Sequence, residues 1–472
     1  MSATSQPHVP TIEDKTIQPI PLDERHGKPR DLFTIWFGSN IMVLTIVTGA
    51  LSTTVFGLDF WSAVIAVAIG NLLGAVFMAL HSAQGPQLGV PQMVQTRGQF
   101  GSYGALLVVI VTVLMYVGFF AANLVLGGQA LSTIIPGLPV NAGIIIIGIV
   151  SVIATIYGYR LIHAYTKILS IVSGIALVVA FVLLAMSATG SDFGVVGGFS
   201  WGGFMGTVSV AALWQIAYAP YVSDYSRYLP RDTGPKAAFW ASYWGCVLGA
   251  TLPMILGALV GAKLLAAGMN PDNVVEGMGQ LLQPVTVVIV GIFSLGVAAT
   301  NSMNLYCGVL STLTVVQSFK PSWTPRAKTR AVTAVIIFAI ALGLALIGAD
   351  NFLVYYSNFL ALLLYVLVPW TAINLVDYYL LKHGDYRVAD FFKQDGGIYG
   401  RFNWVAIGCY ILGAVIQIPF MVTALYTGPI GAALGDVDIS WIVGLIVICP
   451  IYFFAQRAVE RRQAERRIAV EV

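Results

Sequence analysis

The chain has 472 residues, 58% of them hydrophobic and 10% charged, with a mean hydropathy of +0.83. Soluble domains carry roughly 25% charged residues, so a soluble globular protein is excluded and the class is all-α integral membrane, with the lipid bilayer as its solvent. The net charge of +3 says little by its size, and the placement of the charges says more. Cys246, Cys307, Cys409 and Cys449 all lie in apolar runs and read as small buried hydrophobes, not as a disulfide framework. His8, His26, His81, His163 and His383 are scattered and make no ligand spacing. No metal centre and no cofactor are expected, and a membrane enzyme, which needs clustered His, Asp or Cys near one face, is disfavoured.

Residues 1–30 form a polar tail without the apolar core of a signal peptide. Apolar runs of about 20 residues, enough to cross a bilayer, then recur twelve times, at about 31–56, 60–82, 104–131, 141–159, 163–187, 201–225, 236–262, 285–316, 331–348, 353–380, 403–426 and 438–456. With the N-terminus placed in the cytoplasm, 23 of the 24 Lys and Arg residues fall inside, from Lys15 to the five arginines of the C-terminal tail, 457–472. Only Lys263 falls outside. Such a bias sets orientation, favours an even number of spans and puts both termini in the cytoplasm of a plasma-membrane protein. The outer loops carry Asp59, Asp192, Asp272, Glu276, Asp350, Asp436 and Asp438 instead.

The inner loop 83–103 is rich in turn formers and reads either as a gate element or as a linker. The outer loop 263–284 alternates at roughly helical spacing and reads either as a helix lying across the face or as a plain connection. Asn123 to Gly127 on the third span echoes Asn304 to Gly308 on the eighth, which fits an inverted repeat of five helices in each half.

Four spans carry the polar and aromatic residues that a binding site needs. The first reads Trp36-Phe37-Gly38-Ser39-Asn40 and continues through Thr45, Thr48 and Gly49. That mixture tolerates a break, which would free carbonyls for a cation or a substrate. The third offers Tyr116, Gly118, Phe119, Phe120 and Asn123. The sixth places Trp214-Gln215 at mid-depth, where an indole and an amide are costly unless they face protein, water or ligand, and a break near Trp214 is expected. The eighth carries Thr300, Asn301, Ser302 and Asn304 in one short stretch. Thr300 and Ser302 are hard oxygen ligands suited to sodium, and the two asparagines each offer a donor and an acceptor. No Asp or Glu lies at mid-span. Asp224 and Asp377 sit at inner helix ends, where they are expected to brace the inner face by pairing with Arg227 or a loop arginine. A neutral, aromatic, amide-rich site suits a flat, uncharged, hydrogen-bonding heterocycle.

Several stretches then resemble a known family: Ile17 to Arg25, Trp36 to Asn40, Arg97 through Phe100-Gly101, Asp224-Tyr225-Ser226-Arg227-Tyr228-Leu229-Pro230, and Pro369 to Tyr379. Together they are similar to the nucleobase:cation symporter-1 family, in its purine–cytosine permease branch. The resemblance implies a LeuT-like fold with twelve helices and a 5+5 inverted repeat. It would place one transporter domain at 31–456, repeat one at about 31–187, repeat two at about 201–380 and the last two helices at about 403–456.

It also implies alternating access and cation-coupled import of cytosine, a purine or a related heterocycle such as allantoin, hydantoin, uracil, vitamin B6 or a thiamine precursor. The coupling ion would be Na+ or H+. No nucleic acid and no obligatory protein partner are implied. Substrate positions carried onto this chain are Asn40, Tyr116, Phe119, Asn123, Trp214, Gln215, Ala217, Asn301 and Asn304. Cation positions are the carbonyls of the first span with Thr45, Thr48, Ala299, Thr300 and Ser302. Asp224, Arg227 and Asp377 would be structural. Relatives place an aromatic nine residues before the helix-end Asp, where this chain has Gln215 with Trp214 beside it.

Overall fold

A backbone in hydrocarbon must satisfy its own hydrogen bonds, and the architecture in the computed structural model is accordingly helical, with one isolated bridge, Val422–Thr427, among the described residues. The structure describes residues 16–157, 159–187 and 197–471. Lys15 and Asp192, used in the charge count, and the start of the N-terminal tail lie outside the described residues.

The helices are α1 (Pro29–Asn40), α2 (Val43–Thr54), α3 (Phe60–Ser82), α4 (Gly85–Leu88), α5 (Gln92–Phe100), α6 (Ala105–Ile134), α7 (Val140–Tyr157), α8 (Tyr159–Met186) and α9 (Trp201–Ile216). They continue with α10 (Ala219–Ser226), α11 (Pro235–Ala266), α12 (Val274–Leu281), α13 (Thr286–Phe319), α14 (Ala327–Gly348), α15 (Phe352–Val376), α16 (Trp404–Gln417), α17 (Pro429–Ala433) and α18 (Ser440–Glu471). Helix occupies each predicted stretch. By length and apolarity alone seven helices among the described residues could cross a membrane, or eight with the bent α1–α2 pair counted as one. The shortfall from twelve lies in helices that are short, as Val140–Ile156 and Trp404–Phe420 are, in the interrupted α9–α10 pair, and in α14 and α15, which run on as one stretch, Ala327–Leu381, and count once.

Two spans are broken. α1 and α2 meet at an angle of 61°, and α9 gives way to α10 at Ala217-Tyr218. Around them the two halves pack reciprocally. α11 lies along α2, and α3 lies along α9. Small residues permit the approach: a Cβ on Gly257 would fall 1.8 Å from the Ile46 carbonyl, and one on Gly74 would fall 2.4 Å from the Ala212 carbonyl. α6 and α13 run side by side through the centre.

The predicted inner loop is fully built into the fold. α5 is buried along its whole length, and its Arg97 is only 2% exposed. That guanidinium donates to the carbonyls of Thr314 (2.7 Å) and Phe391 (2.9 Å), to Gln317 Oε1 (2.6 Å) and to Ser318 Oγ (3.0 Å). Three of these partners lie in the last turns of α13, where the helix dipole favours a cation. Burial pushes the Arg97 pKa down to about 10, so the charge persists at neutral pH. On the opposite face the predicted outer loop contains α12, whose Val274, Val275 and Met278 are buried. Lys263 donates to the Ser187 carbonyl at 3.0 Å, next to the end of α8.

Adding a side chain where α11 meets α2 forces backbone apart, and overpacking of this kind costs about 1–3 kcal/mol. Gly257→Val should therefore abolish a monodisperse peak in fluorescence-detected size-exclusion chromatography. Gly343→Ala, which meets nothing within 4 Å, should leave the peak unchanged.

Candidate functional site

The first break is made by Asn40. Its Nδ2 donates back to the Trp36 carbonyl at 2.6 Å, and its own carbonyl accepts from Met42 N at 3.1 Å and from the Thr45 hydroxyl. Met42 is then extended, with φ −150° and ψ 168°. The Ser39 carbonyl, freed by the same break, accepts from Thr300 Oγ1 at 2.6 Å. The Ile41 carbonyl faces α13 at Gly296, where a Cβ would come within 2.6 Å of it.

The second break is set by Pro220, near the start of α10. Having no N–H, it cannot bond the carbonyl four residues back. The interruption thus falls three to four residues after Trp214, and the first falls before the Thr-Gly stretch that pointed to it.

The two breaks are tied together. Trp214 Nε1 donates to Asn40 Oδ1 at 2.7 Å. Asn40 is fully buried and Trp214 is 2% exposed. Beside this bond lies a cavity of about 20 Å3 lined by Met42, Leu44, Phe119, Asn123, Trp214, Ala217, Tyr218, Tyr221, Thr300 and Asn304. That is room for about one water molecule. The rings of Phe119 and Trp214 stand 6.2 Å apart at 80°, and Trp214 and Tyr218 stand 6.1 Å apart at 70°.

The polar groups divide into held and free. Asn304 is held: Tyr221 Oη donates to its Oδ1 at 2.6 Å, and its Nδ2 donates to Asn301 Oδ1 at 3.1 Å. Asn301 Nδ2 donates to the Phe120 carbonyl at 3.1 Å. Asn123 is free: it is 1% exposed, and neither atom of its amide has a hydrogen-bond partner among the described residues.

Of the nine substrate positions carried over from the resemblance, Phe119, Asn123, Trp214, Ala217 and Asn304 line the cavity. Asn40 and Asn301 stand just behind it as the partners of Trp214 and Asn304. Tyr116 lies one layer away, donating to the Pro220 carbonyl at 2.9 Å with its ring 4.5 Å from that of Tyr221. Gln215 points away from the cavity, donating to Asn71 Oδ1 at 2.6 Å and to the Cys246 carbonyl at 3.2 Å.

Among the cation positions, Thr300 lines the cavity, and Thr45 bonds the Asn40 carbonyl. Thr48 shares a 2.8 Å hydrogen bond with the Tyr356 hydroxyl. Ser302 faces α7, donating to the carbonyls of Ala298 (2.8 Å) and Ser151 (3.3 Å). Ala299 is buried beside Thr300 and brings no side-chain oxygen. Met42, Leu44, Tyr218 and Tyr221 escaped the sequence reading. The signal for the tyrosines was their placement on either side of Pro220.

Asp224 and Arg227 both lie buried at the basic face. Asp224 Oδ1 accepts from Gln92 N at 2.9 Å, and Arg227 reaches the Thr16 carbonyl at 2.9 Å and stacks over the Tyr228 ring at 5.0 Å. Asp377 departs from expectation: its carboxylate accepts from the hydroxyls of Tyr386 and of Tyr452 (2.7 Å), and no arginine pairs with it among the described residues. Two phenol donors satisfy a buried carboxylate without the cost of desolvating a second charge.

The Trp214–Asn40 bond makes a measurable demand. Trp214→Phe keeps a ring but strips Asn40 Oδ1 of its donor, a loss of about 1–3 kcal/mol for a buried acceptor. Thermal unfolding of the purified protein should shift down for Trp214→Phe and for Asn40→Ala. The double variant should fall short of the sum by about 1 kcal/mol; simple additivity would show that the bond carries no weight.

Residues 19–444 match the family described as permease for cytosine/purines, uracil, thiamine, allantoin. The protein named "Putative purine-cytosine permease YxlA" of Bacillus subtilis is 39% identical over 457 residues, covering 96% of this chain and 98% of its own length. Purine-cytosine permease fcyB of Emericella nidulans is 26% identical, over 90% of this chain and 85% of its own. Among solved structures, Mhp1, a nucleobase-cation-symport-1 family transporter in a closed conformation with bromovinylhydantoin bound, aligns over 96% of this chain and 97% of its own. The TM-score is 0.75 at 20% identity, and the inward-facing conformation of Mhp1 aligns at 0.71 and 21%. These last likenesses carry the fold, the LeuT-like 5+5 inverted repeat. The chain belongs to the family of permeases for cytosine and purines, uracil, thiamine and allantoin, and is a multi-pass membrane transporter, not an enzyme.

Proposed function

We propose that this permease imports a planar, uncharged nucleobase, cytosine or a purine, across the plasma membrane by symport with a sodium ion or a proton. The basic face, with both termini, is cytoplasmic. The observation that carries the substrate class is Asn123. A buried amide with both donor and acceptor unmet costs about 1–3 kcal/mol for each group. It is tolerable where a ligand supplies the complement. An Asn amide reads paired ring-nitrogen and amino groups of a base in bidentate fashion, and Phe119 and Trp214 line the same cavity with their rings nearly perpendicular, at 80°, so that one of them can offer a base its face. No charged side chain lines the cavity, which suits a neutral ligand.

A cavity of about 20 Å3 does not hold a base, so the lining must part to admit one. The interrupted spans are the elements that can do this without unfolding, since their hydrogen bonds at the breaks are already made to side chains. The coupling ion is cargo at the same junction. The Ser39 and Asn40 carbonyls now accept from Thr300 and Thr45, and an entering cation would take those carbonyls and turn the hydroxyl lone pairs toward itself.

Uptake of radiolabelled cytosine, adenine, hypoxanthine and uracil into a transporter-deficient cell tests the reading. Accumulation above the outside concentration is expected for at least one of them. Replacing sodium with choline abolishes it if sodium is the partner, and a protonophore abolishes it if a proton is. Phe119→Ala and Asn123→Ala should each raise KM about tenfold, given about 1–3 kcal/mol for a stacked base or an unmet polar group. Unchanged KM in both would place the substrate elsewhere.

A further inference from the structure

The amide of Asn304 has only one orientation consistent with its neighbours, and the reason starts on another helix. The Phe120 carbonyl can only accept, so Asn301 must turn its Nδ2 toward it, at 3.1 Å. Asn301 Oδ1 then faces Asn304, which must present Nδ2, at 3.1 Å. Asn304 Oδ1 is left facing Tyr221, whose hydroxyl therefore donates, at 2.6 Å. Amide orientations are normally assigned by such networks and not seen directly. Here each link is forced by the one before it, back to a carbonyl that has no alternative role.

Tyr221 has little freedom to do anything else. Its ring is wedged against Tyr116 at 4.5 Å and Tyr218 at 5.4 Å, and it is 2% exposed. The donated hydrogen bond also polarises the amide, since chains of hydrogen bonds strengthen one another. What Asn304 has left for the cavity is its second Nδ2–H and one lone pair on an oxygen already engaged.

We infer that Tyr221 is a positioning residue that sets substrate specificity: by donating to Asn304 Oδ1 it fixes that amide as an N–H donor toward the ligand. The transporter then selects bases that carry a ring-nitrogen or carbonyl acceptor at the edge facing Asn304. This rests on the nucleobase reading above. Because Tyr221 rides on α10 and Asn304 on α13, the preference is in force only while α10 is docked.

The test uses the full-length protein in cells and a ligand series of adenine with its 1-, 3- and 7-deaza analogues, each lacking one ring acceptor. Competition against the labelled permeant gives an affinity ratio for each analogue. The wild type should reject one analogue more than the others. Tyr221→Phe should shrink that one ratio by about three- to tenfold, the size of one net hydrogen bond, leave the other ratios in place and hold maximal velocity within about twofold. Asn304→Ala should erase the same ratio, and adding Tyr221→Phe to it should do nothing more. Tyr116→Phe, which removes a neighbouring hydroxyl bonded to the Pro220 carbonyl, should leave all ratios alone.

If Tyr221→Phe does not reach the membrane, Asn301→Ala removes the other anchor of the amide and should shrink the same ratio. If Asn304→Ala erases a ratio that neither Tyr221→Phe nor Asn301→Ala alters, the positioning role is wrong and the nucleobase reading stands. If no base in the series competes, it is the nucleobase reading that falls, and the positioning role falls with it.

Discussion

Breaking a helix in a low-dielectric interior exposes backbone groups that have no water to turn to, and Asn40 is where this chain meets that constraint. Its carbonyl serves the Met42 amide and the Thr45 hydroxyl, its Nδ2 closes the end of α1 on Trp36, and its Oδ1 receives Trp214. One side chain therefore terminates the first interrupted span and fastens the second to it. Without it the Trp214 indole, 2% exposed, would have no acceptor, and the two breaks would have no reason to sit at the same level. The cavity exists because these two defects coincide.

The chemistry of the cavity follows from which groups that arrangement uses up. Asn40, Asn301 and Thr300 spend their donors on backbone carbonyls, and the amide oxygens of Asn40 and Asn301 accept from Trp214 and Asn304. Asn304 is half committed, and Asn123 is not committed at all. A wall that holds one amide rigid and leaves another open presents a fixed donor and an adaptable pair. That combination can discriminate among flat rings of similar size, where shape alone supplies only a small difference in affinity.

Much of this was legible in the sequence, and the rest failed for a definable reason. Composition excluded a soluble protein, and the cost of Trp214 at mid-depth singled out the sixth span. The echo between Asn123-to-Gly127 and Asn304-to-Gly308 has a structural counterpart, since both asparagines line the cavity from the two central helices. What the sequence lacks is the rotation of each helix about its axis. Adjacent helical residues point about 100° apart, so Trp214 facing the cavity turns Gln215 toward Asn71 on α3. Tyr116 shares a face with Phe119 and Asn123 but sits a turn lower, where α10 fills the space the cavity would need. Asp377 was misjudged for another reason: pairing it with an arginine assumed that charge seeks charge, whereas Tyr386 from the following loop and Tyr452 from α18 take its oxygens.

The same rotation explains how α10 is fastened at the basic face. α10 presents Ser223 and Ser226 to the carbonyls of His81 and Ser82, at 3.2 and 2.8 Å, and Asp224 to the amide of Gln92. Arg227, just beyond its end, reaches the Thr16 carbonyl. Each bond is worth about 0.5–1.5 kcal/mol net, more where a charge takes part, so together they amount to several kcal/mol. Inverting a two-state balance from 1:99 to 99:1 takes about 5.5 kcal/mol. The polar contacts of one short half-helix are thus of the size on which a two-state conformational balance turns. A fold that buried α10 behind apolar packing alone would have no comparable set of discrete bonds to release, and a tighter ionic lock would leave the half-helix closed whatever the cavity held.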